Sequence, residues 1–196
     1  MKKKNIIILG IIISFLIMFT IISLIDMYNS KNDKYEKLYQ KFIDNEYYLN
    51  DYNLDNNMIT NISYGYFDID DDNKEELIVV IKDDTEFETS LFYQINKNKV
   101  KFIDKVYHYG ELKYNRKDSA IVYTLTRPSM NYGFVIEYHK YDNNKFINIK
   151  NLIVEIDNDN YKYYIEENNT KKEISESIYQ EYINDNVSFS FKNITK

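Results

Sequence analysis

Twenty consecutive residues, Ile6 to Ile25, carry no charge. Ten are Ile, three Leu, two Phe and one Met, and only Gly10, Ser14, Thr20 and Ser23 dilute them. As a helix, such a run spans about 30 Å, the thickness of a bilayer's hydrocarbon core. Its Ile, Leu and Phe side chains favour insertion by roughly 5–9 kcal/mol before the polar residues subtract. The run predicts a single-pass transmembrane helix, led by the basic tail Lys2-Lys3-Lys4. A cleaved signal peptide is the rival reading. The run exceeds the usual apolar length of about 7–15 residues, and Ser23 to Met27 offers no small-residue cleavage site. The expectation is therefore a cell-membrane protein with a cytoplasmic tail (1–5), an uncleaved anchor (6–25), a linker (26–34) and an extracytoplasmic domain (35–196).

Charge and composition narrow the chemistry. A net charge of -6 argues against a nucleic-acid partner, which calls for a basic face. Without cysteine there are no disulfides, thiolate zinc sites or thiol nucleophiles. The chain holds 25 Asn and 21 Tyr but one Ala and one Pro. That bias is the mark of an AT-rich bacterial genome, so abundance of Asn or Tyr says nothing of function.

Beyond the run, Tyr35, Leu38, Tyr39, Phe42, Ile43 and Tyr47 recur at helical spacing and predict one amphipathic helix over about 31–48. Residues 49–61 read as a loop. Strand patterns follow over Ser63–Ile69, Leu77–Lys82, Glu86–Ile95, Val100–His108, Ala120–Arg127, Phe134–Tyr141, Lys145–Ile156 and Tyr161–Glu166, with Asn- and Asp-rich breaks between them. Short breaks favour an antiparallel meander. Ser175 starts a short helix to about Asn184, and Val187–Ile194 is a last strand. The expected class is α+β: a transmembrane helix, then an amphipathic helix packed on a mainly antiparallel meander, with a short C-terminal helix.

One constellation rises above this background. Six of the nine residues from Asp68 to Glu76 are acidic. Asp68, Asp70, Asp72 and Glu76 place carboxylates at loop positions 1, 3, 5 and 9, and the Lys74 carbonyl stands at position 7. That spacing turns alternate oxygens toward one point, and calcium takes six to eight oxygens at about 2.3–2.6 Å. Position 6 needs a left-handed backbone, and Asn73 is the best substitute for Gly there. Position 12 is Val79, not the Glu of a full EF-hand loop.

The stretch Tyr66 to Val79 resembles the strand–loop–strand pattern F-x-D-I-D-G-D-G-x-x-E-L-I-V. That pattern recurs in uncharacterised secreted and membrane-anchored proteins of low-GC Gram-positive bacteria. Related loops bind calcium in FG-GAP and VCBS repeats. Asp71 and Asn73 stand where the pattern has glycines. The resemblance implies a calcium site and no known activity.

Other candidates are weaker. Asp157 to Asn160 is a partial D-x-D run read as a turn. His108 and His139 lie among strand tyrosines and read as structural. Glu137 and Asp104 are a formal acid pair, but glycoside hydrolysis fixes such a pair within about 5–10 Å. The pairs Tyr107/Tyr109 and Tyr161/Tyr163 each share a strand face and read as packing, with glycan binding the rival. The reading is a non-enzymatic envelope interaction module with a structural calcium ion, partnered by a protein or glycan. Its alternatives are a subunit of an envelope assembly or secretion/conjugation machine, and a cell-wall hydrolase.

Overall fold

The structure, a computed structural model, describes residues 3–52, 58–85, 87–125, 132–157 and 160–194. Side chains at 3–12, 26–32, 132 and 157 are outside the description. So are the expected strand end at Arg127, residues 158–159 of the partial D-x-D run, and much of the expected tail and linker.

Helix α1 (Lys3–Asp44) and the single turn α2 (Leu49–Tyr52) precede nine consecutive strands. These are β1 (Ile59–Phe67), β2 (Glu76–Asp83), β3 (Phe87–Asn96), β4 (Lys99–Asn115), β5 (Ala120–Leu125), β6 (Tyr132–Asp142), β7 (Lys145–Asp157), β8 (Asn160–Glu167) and β9 (Thr170–Ile174). Helix α3 (Glu176–Asn184) and the short strands β10 (Asn186–Ser188) and β11 (Lys192–Asn193) close the chain. All form one antiparallel sheet in the order β11-β1-β2-β3-β4-β5-β6-β7-β8-β9, with β10 added alongside β4.

Two expectations are corrected. Among the described residues, no helix is long and apolar enough to cross a membrane. The single-pass anchor, and with it the placement of the remaining chain outside the cell, is not supported. The apolar run is not a separate span but the first half of a 42-residue helix that continues unbroken through Lys34, Lys37 and Lys41. The α+β class gives way to one large antiparallel sheet that dominates the structure, with helices packed on one of its faces. The α1 helix also ends at Asp44, and β1 begins at Ile59 inside the expected loop.

Asparagine builds the tight hairpins. Lys97-Asn98, Asn143-Asn144 and Asn168-Asn169 each have two successive residues with φ between 50° and 63°. That is the mirror-image turn that matches the twist of paired strands, and Asn tolerates it where Gly is scarce. At Gly65, by contrast, bulk is excluded: a Cβ would lie 2.5 Å from the Ser190 carbonyl oxygen.

The strand Leu77–Ile81 is buried on both faces. Leu77, Val79 and Ile81 pack with Tyr39 and Ile43 of α1, Tyr48, Tyr52 of α2, and Leu91 and Tyr93. Farther along the same sheet face, α3 sets Tyr179 against Val122, Ile136, Tyr138, Leu152 and Val154. The Ser175 hydroxyl caps α3 by accepting from the Ile178 N–H.

The opposite face is concave. Ile78, Val80, Phe92, Val106, Ile121 and Tyr123 line it, with Ile69 and Phe189 added. Phe92 of β3 meets Phe146 of β7 with ring centroids 4.6 Å apart. In a flat sheet these strands, four steps of about 4.8 Å apart, would be separated by about 19 Å. The sheet therefore curls until β3 touches the β6–β7 hairpin, where the Gln94 amide also donates to Asn144 Oδ1 at 3.0 Å.

Candidate metal centre

The acidic loop joins β1 to β2. Its own carboxylates fold it, because short Asp side chains satisfy nearby backbone donors. Asp68 Oδ1 accepts from the Asp72 N–H (3.0 Å), and Oδ2 from the Asn73 N–H (2.8 Å). Asp70 Oδ1 also accepts from the Asp72 N–H, at 3.3 Å. Asp71 (φ 58°) and Asn73 (φ 62°) take the left-handed conformation, at the two positions where the related pattern has glycine.

Two anchors tie the loop to the body. Ile69 is buried in the concave core. Glu76, the first residue of β2, is 5% exposed and accepts the Ile69 N–H on Oε2 at 3.1 Å. Carboxylate oxygens of Asp68, Asp70 and Glu76 thereby lie within 4.8 Å of one another. Two oxygens bound to one calcium at about 2.4 Å are at most about 4.8 Å apart, so the three can share an ion of that size. The donor set is all oxygen, which suits a hard cation.

Asp72 is not among them. The Lys74 ammonium pairs with Asp72, whose Oδ1 accepts the Lys74 N–H at 2.8 Å. The acid at position 5 is spent inside the loop.

Burial pushes the Glu76 carboxyl up to about 8, reinforced by the charges of Asp70, Asp72 and Asp68 and opposed by the Ile69 N–H. Asp70 is raised by its burial and by Asp72 and Asp68. The site thus holds a proton near neutrality that a divalent cation can replace.

Sequence spacing missed the supports. The Tyr39 hydroxyl donates to the Glu75 carbonyl (3.0 Å), and Ser119 Oγ to Asp71 Oδ2 (2.9 Å). These contacts span 36 and 48 residues, beyond any local pattern.

The histidines fare differently. His108 Nδ1 donates to the Gly110 carbonyl (3.0 Å), so Nε2 accepts the Ser90 hydroxyl at 2.8 Å. Both side chains are fully buried, and burial pushes the imidazole down to about 4. This neutral pair ties β3 to β4 out of reach of a substrate. His139 instead faces Glu137 and Tyr123. The Asp104 carboxylate accepts the N–H groups of Lys105 and Phe146. Of the tyrosines, Tyr109 packs on Phe87 and Tyr163 on Tyr179, while Tyr107 and Tyr161 remain exposed. No protein-family model matches the chain, and no curated protein or solved structure is similar enough to it to count as a match.

Proposed function

We propose that the protein is a non-enzymatic binding module whose β1–β2 loop is fixed by a calcium ion. The observation that carries this is the convergence of Asp68, Asp70 and buried Glu76 within 4.8 Å. Calcium would offset the repulsion of three carboxylates and the cost of ionising Glu76 in the core. Ile69 links the ion site to the concave face, so the ion stiffens the sheet rather than acting on a substrate. Exposed Tyr107 and Tyr161 support a protein or glycan as the partner.

Calorimetric titration of calcium into the protein, with melting curves, tests the reading. The expected dissociation constant is about 10⁻⁴–10⁻³ M. At 10 mM calcium that corresponds to roughly 1.4–2.7 kcal/mol of added stability. Asp68→Asn combined with Asp70→Asn should abolish the shift. An equal shift in wild type and variant would sink the proposal.

A further inference from the structure

Strand β4 outruns its neighbour β3. Tyr109 pairs with Phe87, the first residue of β3, and β4 continues to Asn115. The β4–β5 pairing slips between Tyr109 and Lys113, so Gly110, Glu111 and Leu112 bulge out of the ladder. Gly110 takes φ 65°, and its carbonyl accepts from Nδ1 of the buried His108 at 3.0 Å. The buried Ser90–His108 pair thereby holds the bulge in place.

Beside the bulge, on the concave face, lies a cavity of about 290 Å³. Buried Val80 and Leu112 give it an apolar floor. Phe191, from the segment between β10 and β11, adds an aromatic wall. That ring rests on Gly65, where a Cβ would come within 3.1 Å of Phe191 Cδ1, so a side chain there would displace it. The rim is polar. Asn61 and Ser63 of β1 each offer a donor and an acceptor. Lys82 and Glu88 stand directly opposite each other on β2 and β3, with Nζ 3.7 Å from Oε1. That is an ion pair too long for a hydrogen bond, so the ammonium keeps donors and the carboxylate acceptors for a ligand.

The lining selects a chemistry. It holds one Lys, Lys82, against two acids, Glu88 and Glu111, which disfavours phosphate and carboxylate ligands. Its volume stands at the small end of ligand pockets, about 300–1,000 Å³, and suits a single ring. An apolar floor and aromatic wall beneath mixed donors and acceptors match a neutral molecule with one apolar face and many hydroxyls, which describes a pyranose. We propose that this cavity binds one sugar unit of a glycan, with the apolar ring face on Phe191 and the hydroxyls bonded to Lys82 and Glu88. The assignment rests on the reading of the protein as a binding module and names its partner class, yet none of its residues belongs to the calcium loop.

Nuclear magnetic resonance titration of the full chain with the methyl glycosides of glucose, galactose, mannose and N-acetylglucosamine is the test. At least one should shift the amide signals of Lys82, Gly110 and Leu112 to saturation. Its dissociation constant should be about 1 mM, the scale set by about a dozen non-hydrogen atoms. Glu88→Gln keeps the shape of the rim, and Phe191→Leu keeps an apolar wall without the aromatic ring. Each should weaken binding by about tenfold or more. Lys82→Gln, at a half-exposed side chain, should do the same and serves if Phe191→Leu does not fold. Asp70→Asn should leave sugar binding unchanged, and Glu88→Gln should keep the calcium shift in melting temperature. Failure of this site is thus told apart from failure of the calcium loop. Absence of shifts at about ten times that constant, or equal binding by wild type and the folded variants, overturns the assignment. So do shifts produced by acetylated tripeptides and not by the glycosides, since the cavity then takes a peptide.

Discussion

The acidic loop and the hydrogen-bonded cluster of Tyr123, Glu137 and His139 on β5 and β6 each gather three polar side chains, yet they are encoded in opposite ways. Asp68, Asp70 and Glu76 lie within nine residues, and the loop's own backbone donors shape it. Tyr123, Glu137 and His139 meet only through strand register. The β6–β7 pairing slips by one residue after Tyr138, so that His139 faces Asn148 rather than Ile149. A one-residue change of register would turn one or more of these side chains to the α3 face. A locally encoded site survives moderate damage to the sheet, whereas a register-encoded one does not.

Phe92→Ala should have the largest effect. Phe92 is fully buried and bridges the curl to Phe146. Its loss should cost about 3–5 kcal/mol, read from urea denaturation. If the variant folds, it should keep the calcium shift of the loop. Loss of the calcium shift in a folded variant would mean that the loop is not encoded locally.

The same contrast explains what was legible in the sequence. The apolar alternation and Asn-rich breaks marked most hairpins, because an Asn pair in a left-handed turn is a local event. The hairpin at Asn168-Asn169 was missed, and β9 with it, because Lys171, Lys172 and Glu173 are exposed at the sheet edge and leave no apolar pattern. The membrane reading failed for a different reason. A count of uncharged residues takes no account of the helix continuing into the domain, where Tyr39 and Ile43 pack on the sheet. Three of the expected loop ligands come together, but sequence spacing could not reveal that Lys74 occupies Asp72. Glu137 and His139 stand two apart on one strand face, which the sequence shows, but Tyr123 and Asn148 are brought to them by pairing alone.

Proton linkage sharpens the comparison at intermediate magnitude. The folded Glu76 carboxyl keeps its proton up to about pH 8, against 4.5 for an ordinary Glu. The folded state therefore binds more protons between those values, and stability falls as pH rises through them. His108 acts oppositely. Its folded value of about 4 lies below the ordinary 6.5, so stability is lost as pH falls through that window. The two oppose each other between about pH 4.5 and 6.5, and above 6.5 the Glu76 slope remains. In chelator, melting temperature should fall from pH 6.5 to 8.5. Glu76→Gln, which keeps an acceptor for the Ile69 N–H, should remove that slope and gain about 1–3 kcal/mol at pH 8.5. Calcium should flatten the wild-type slope by taking the proton's place. An unchanged slope in Glu76→Gln would refute the assignment.

The smallest effect tests how local the loop's encoding is. Asn73 sits at φ 62° with its side chain exposed. For most L-residues that conformation costs about 1–2 kcal/mol, less for Asn, while Gly adopts it freely but loses more entropy on folding. Asn73→Gly should therefore change stability by less than about 1 kcal/mol and leave the calcium affinity within severalfold. Asn73→Ala should cost about 1 kcal/mol, because it adds strain without the side chain's local hydrogen bonding. Both follow from melting curves taken with and without calcium. If Ala were tolerated as well as Gly, the left-handed residue would not be what shapes the loop. The Asp68 bonds to the Asp72 and Asn73 N–H groups would then set its course alone.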